Sequence, residues 1–262
     1  MNKSKLRMGY GVFGKAYEYM FRNDLHDKRS VDHEILKNMI FLDEDSKSIL
    51  YKVPQPVSKD ICYHALYDIA QKLKGENHLE SIHRVIEFVN EIVEKYKSPF
   101  EEMVFGGTEL EIINRGSDWC SDLSRVAVAL LQCLGIPSRI AILVNQCKAY
   151  HGHQVVEVYV GGTYLLCDFL YGVTGRLDRY YSVYDLLNNP SLVKKLYNIR
   201  IDDKNQLDYL AGLYHLAAIS EYDITKKHKF YTSKPNKYYQ KMMNLNQDGT
   251  WQMNEDKYEG LY

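Results

Sequence analysis

The chain has 262 residues, 45% of them hydrophobic and 26% charged, enough to bury a sizeable core in one or two domains. A formal net charge of −1 and a pI near 6.8 exclude nucleic-acid or membrane-surface binding driven by bulk electrostatics. Five cysteines (Cys62, Cys120, Cys133, Cys147 and Cys167) without CxxC spacing fit a reducing compartment. The opening MNKSKLRMGYG lacks an apolar signal core, and no apolar run is long enough to span a membrane, so the expectation is a soluble cytoplasmic protein.

Gly9, Gly11 and Gly14 spell GxGxxG, but no strand-forming run precedes them, so a phosphate loop is not expected. After Pro54 and Pro56 a helix is expected over 59–73. Asn77 with Glu80 forms a capping pair for a second helix, reaching about Lys97, with Ile82, Val85, Ile86, Val89, Ile92, Val93 and Tyr96 on its apolar face. The stretch 98–114 is broken by Pro99 and by Gly106 and Gly107 and is expected to be mixed.

Ser117 and Asp118 are suitable N-cap residues for a helix from Trp119 to Leu134, whose apolar positions Leu123, Val126, Ala127, Leu130 and Leu131 recur at helical spacing. Gly135 and Pro137 supply the stop. Cys120 falls in the first turn, where unpaired amides and the helix dipole favour an anion and hence a thiolate. Taken alone, Cys120 is more economically a small apolar residue filling a gap.

A hairpin changes that balance. QVVEVYV (154–160) and TYLLCDF (163–169) are strand-like and flank Gly161-Gly162, a two-residue turn signal. That turn sets Val160 opposite Thr163 and Val155 opposite Asp168, so strand alternation puts His153 and Asp168 on one face as diagonal neighbours. A thiol, an imidazole and a carboxylate brought together form an activated nucleophile, its base and the group that orients the base. His151 has the same strand parity and is the rival base. Cys147, His151 and His153 could also make a partial zinc site, without the paired cysteines of structural zinc.

GSDWCSDLSRVAVALLQCLGIPSR and GHQVVEVYVGGTYLLCDF resemble the core motifs of the transglutaminase-like superfamily over roughly 116–175. The elements carrying the resemblance are Cys120 with Asp122, the Leu134-Gly135-Ile136-Pro137 helix end with Arg139, Gly152-His153, Glu157-Val158-Tyr159, and Asp168. Val155, Tyr164 and Phe169 replace residues common in the family, changes that touch pocket walls more than chemistry. The resemblance implies an α+β, papain-like core with a helix packed on an antiparallel sheet. It also implies Cys120 as nucleophile, His153 as general base and Asp168 as orienting acid. An oxyanion site would use the Cys120 amide and one upstream donor, with Asn114 and the Trp119 indole as candidates and Tyr164 as a pocket candidate. Asp122 is expected to cap the helix or fix the preceding loop, and Arg139 to form a structural ion pair; Glu157 shares the odd-numbered face with His153, which raises the question of a second carboxylate role.

Downstream, short helices are expected over 182–187 and 192–197 around Pro190, then a helix over 207–219 capped by Asp202 or Asp203. The tail from Ser220 is Lys-, Asn- and Tyr-rich and expected to be loosely attached. The 23 tyrosines could line a sugar or peptide groove, though packing at core rims accounts for them more simply. The organisation expected is a helical region over 1–100, a catalytic core over 101–190 and a helical extension over 191–262. The function expected is cysteine-dependent acyl transfer on a protein, peptide or other amide-containing substrate, without cofactor or metal, nucleic-acid partner or membrane. The alternative is a non-catalytic peptide-, glycan- or protein-binding module on the same fold.

Overall fold

A computed structural model describes residues 39–58, 61, 64–96, 104, 106–144, 152–225, 243–245 and 251–253. Gly9, Gly11, Gly14, Cys62, Cys147 and His151, and with them the glycine motif, the rival base and most of the zinc alternative, lie outside the described residues. The first described strand is β1 (Met39–Phe41), followed by α1 (Glu44–Leu50), α2 (Tyr67–Lys72) and α3 (His78–Lys95). Next come α4 (Glu109–Arg115), α5 (Cys120–Cys133), β2 (Ser138–Val144), β3 (Gly152–Val160), β4 (Thr163–Asp168) and β5 (Val173–Thr174). Helices α6 (Val183–Leu186), α7 (Pro190–Tyr197) and α8 (Lys204–Leu213) precede β6 (Leu216–Ser220). A separate hairpin pairs β7 (Met243–Leu245) with β8 (Trp251–Met253).

The main sheet is antiparallel throughout, in the order β1-β6-β2-β3-β4-β5, giving the α+β class. Side-chain alternation feeds two cores. Ile140, Val156, Val158, Leu165 and Ala218 join the layer of α2, α3 and α5. Ala141, Leu143, Val155, Leu166 and Ala217 join the opposite layer of α6, α7 and α8. The helix α5, buried at almost every position, is the centre of the first layer.

Several local expectations meet their residues. Asn77 caps α3 by accepting from the Glu80 amide, and Ile82, Val85, Ile86, Val89 and Ile92 are buried. Gly161 and Gly162 both have positive φ, +61° and +83°, as a type I′ turn requires. The resulting ladder sets Val160 against Thr163 and Val156 against Cys167, the register the turn predicts.

Others are corrected. The helix expected over 59–73 is, among the described residues, only α2. Within 98–114 a helix does form: Thr108 and Glu111 make a capping box that starts α4. Asp203 caps α8, but the helix stops at Leu213, and Leu216–Ser220 is a strand lying between β1 and β2. Every residue of β6 is buried on both faces, so its apolar run carries no alternation to separate strand from helix. The tail begins packed: Ser220, Tyr222 and Ile224 are all buried. No helix among the described residues is long and apolar enough to cross a membrane.

Candidate active site

The chain entering α5 is fastened before the helix starts. Gly116 takes φ +83°, with the Tyr96 amide nitrogen, from the end of α3, only 2.8 Å from where a Cβ would lie. Asp122, in the first turn, does not cap the helix but reaches back to the loop. It accepts the Gly106 amide (2.9 Å), the Ser117 hydroxyl (2.9 Å) and the Arg115 guanidinium (2.7 Å). Burial raises the Asp122 pKa against the pull of Arg125 and Arg115. The N-cap is Trp119, not Ser117 or Asp118; its side chain makes no capping bond, and Ser117 Oγ accepts the Trp119 amide (3.2 Å). The first-turn amides thus receive no bond from the N-cap side chain, and Cys120 sits among them, partly exposed.

Residue His153 stands at the start of β3, on the face of Val155 and Glu157. Ser124, one turn into α5, donates to the Gln154 carbonyl (3.2 Å) and holds that helix beside the strand. His153 is 6% exposed, its Nε2 lies 2.6 Å from Asp168 Oδ2, and Cys120 is near enough to help raise its pKa. With Nε2 committed to the carboxylate, Nδ1 is the nitrogen left for sulfur. Burial pushes the imidazole pKa down, but the Asp168 charge and hydrogen bond, with Cys120, outweigh it and hold His153 well above the ordinary histidine value.

Asp168 is fully buried and saturated. Its Oδ1 accepts the amides of Leu170 (3.0 Å) and Tyr171 (3.2 Å); its Oδ2 accepts, besides His153, the Tyr197 hydroxyl at 2.6 Å. The Tyr214 hydroxyl lies 2.8 Å from that of Tyr197. Burial, then the Asp168 charge, keeps both phenols protonated well beyond their usual range. The Tyr171 ring lies 5.7 Å from the His153 ring, and Tyr209 on α8, 44% exposed overall, is pushed up to about 12 by partial burial, then by Tyr171 and Cys120. Sequence reasoning missed all four tyrosines. No local pattern ties a tyrosine on a short helix to a carboxylate two elements away.

The structure thus brings Cys120, His153 and Asp168 together, with His153 hydrogen-bonded to Asp168 and Cys120 beside the imidazole. The other pocket candidates fare differently. Trp119 is half-buried immediately before the sulfur, as the N-cap. Asn114 is exposed on α4. Tyr164 is not at the line: four residues up β4 from Asp168, about 13 Å along the strand, its ring covers the Arg139 guanidinium at 3.7 Å. It lines a separate groove of about 700 Å³ with Arg139, Val53 and Pro54. Arg139 pairs with Glu157 in the structural role expected of it, and Glu157 has no valence left for chemistry: it accepts from Arg139, the Tyr51 hydroxyl and the Val183 amide.

A family model described as the transglutaminase-like domain matches residues 64–196, half of the chain. No curated protein and no solved structure matches it.

Proposed function

The chain belongs to the transglutaminase-like domain family, and on that premise we propose that it is a cysteine-dependent acyl-transfer enzyme acting on an amide or ester carbonyl of a protein, peptide or related substrate. The meeting of Cys120 with an imidazole that Asp168 holds at 2.6 Å is the observation that carries this reading. His153 takes the Cys120 proton, and the thiolate attacks the carbonyl carbon to form a C–S bond. The first-turn amides of α5, Cys120 among them, face the developing oxyanion. As the C–N or C–O bond breaks, the imidazolium gives its proton to the leaving amine or alcohol, and a thioester remains. Water or an amine, deprotonated by His153, then displaces sulfur and restores the thiol. Asp168 keeps the imidazole oriented and supports its charged form. A reducing cytoplasmic setting suits a reaction that needs a free thiol.

The test is trapping of an acyl adduct from a library of activated peptide esters, followed by peptide mapping. The expected result is a hydroxylamine-labile mass on Cys120 that is absent in Cys120→Ser and much reduced in His153→Ala. Added primary amine distinguishes transamidation, which yields an amide product, from hydrolysis, which yields the free acid. A folded chain that acquires no adduct overturns the reading in favour of a binding module on this fold.

A further inference from the structure

We propose that Tyr197 and Tyr214 are positioning residues that set how tightly Asp168 holds His153. The inference takes its consequence for catalysis from the acyl-transfer reading; its geometry stands apart from that reading.

One oxygen, Asp168 Oδ2, accepts two donors at the same length, His153 Nε2 and the Tyr197 hydroxyl, each at 2.6 Å. The other oxygen is occupied by the Leu170 and Tyr171 amides, so neither donor can move across to it. Two donors on one oxygen share its charge: what Tyr197 draws is withdrawn from the imidazolium. Because the Tyr197 proton is committed to Asp168, the 2.8 Å contact with Tyr214 has Tyr214 as its donor. That donation polarises the Tyr197 hydroxyl and strengthens its hold on the carboxylate.

Packing alone would not call for the hydroxyls. The rings of Tyr171, Tyr197 and Tyr214 meet edge to face at 6.0 and 6.2 Å, contacts that phenylalanine also makes. Both hydroxyls are instead buried polar groups whose desolvation is offset, among the described residues, by the run Tyr214 to Tyr197 to Asp168. Tyr197 ends α7 and Tyr214 follows α8, and both lie past the end of the family match at 196. Packing of these two helices thereby sets the strength of a carboxylate on β4.

Among the described residues, few titratable groups surround His153. Asp168 faces it from β4, Cys120 from α5, and the Tyr171 ring lies beside it. Tyr209 on α8 is coupled to Cys120 and Tyr171. Glu157, further up β3, is neutralised by Arg139.

The experiment is an NMR titration of the His153 ring in the full chain with labelled histidine, for the wild type, Tyr197→Phe, Tyr214→Phe and the double variant. Loss of the Tyr197 donor leaves Asp168 more strongly charged toward the imidazolium, so the His153 midpoint in Tyr197→Phe rises by about one pH unit. In Tyr214→Phe it rises by less, and the double variant matches Tyr197→Phe, because Tyr214 acts through Tyr197. Equal midpoints in all four proteins, with only thermal stability reduced, overturn the proposal. If Tyr197→Phe does not fold, Tyr214→Phe decides, since it leaves the bond to Asp168 in place and must still move the midpoint upward. The titration needs no turnover. An unshifted His153 in an active enzyme refutes this inference alone, and a shifted His153 in a chain that forms no adduct refutes only the acyl-transfer reading.

Discussion

Arg139 and Glu157 are register partners on β2 and β3, and they close on each other through Nε and Nη2, at 3.0 and 2.7 Å, on the single oxygen Oε2. The pair shares its sheet face with His153 and Asp168, yet it is built for permanence. Tyr51 and the Val183 amide fill the other oxygen, Arg139 also donates to the Leu50 carbonyl, and Tyr164 stacks on the guanidinium.

Removing one partner leaves the other charge buried alone. Arg139→Met should therefore cost about 3–5 kcal/mol of folding stability, read from urea denaturation. Alkylation of Cys120 in the protein that remains folded should be unchanged. A loss below about 1 kcal/mol would mean that Glu157 finds water or another donor.

Two glycines of positive φ should respond differently to alanine. At Gly116 the added Cβ meets the backbone of α3, with Ile92 O and Lys95 C at 3.0 Å and Tyr96 N closer still. At Gly135, φ +76°, nothing lies within 4 Å. Gly116→Ala should cost about 3 kcal/mol or more and slow Cys120 alkylation by displacing the loop into α5, against about 1 kcal/mol for Gly135→Ala with alkylation untouched. Thermal denaturation with iodoacetamide kinetics checks both.

Three cysteines among the described residues should be told apart by alkylation of the native protein. Burial, then Glu109, pushes the Cys133 thiol up to about 12, and burial, then Asp168 and Glu157, drives Cys167 higher still. Cys120 is partly exposed and lies beside His153. Peptide mapping after a short pulse of iodoacetamide at pH 6 should find the label on Cys120 and not on Cys133 or Cys167. In His153→Ala that labelling should slow by about tenfold or more. Equal labelling in the variant would break the link between imidazole and sulfur.

The pH dependence of stability has a definite sign. His153 titrates higher in the folded chain than in the unfolded one, so folding is favoured by its protonated form. Its contribution is fully present below the unfolded value of about 6.5 and is lost as pH rises through the folded value. The stability gap between wild type and His153→Gln, taken from urea curves, should therefore be widest near pH 6 and shrink toward alkaline pH. A gap that widens with pH would contradict the Asp168 pairing.

Local chemistry made much of this arrangement readable in advance. Asn77 announces α3, the Leu134-Gly135-Ile136-Pro137 run ends α5, and Gly161-Gly162 alone is enough to put His153 and Asp168 on one face. What escaped was set by distant partners. LAAIS is buried on both sides because β1 and β2 flank it and helices cover it, facts that no window of sequence contains. Tyr164 was assigned to the pocket by its place in a motif, and the nearby Arg139 claimed it instead. Nothing in the sequence around Tyr197 and Tyr214 marks what lies opposite them. Thr108 and Glu111, by contrast, carried a legible capping signal that the neighbouring glycines obscured.

The placement of β6 between β1 and β2 has a consequence for biosynthesis. A nascent chain that has left the ribosome only as far as residue 196 already carries Cys120, His153 and Asp168, but one long edge of β2 is bare and Asp168 lacks its phenol. Final closure of the sheet waits for Leu216–Ser220 to slot in beside β2 and for β1, made first of all the described strands, to be stitched to the last strand of the same sheet. A nonsense codon just before Leu216 should thus yield a sticky, chaperone-dependent fragment rather than a smaller folded protein.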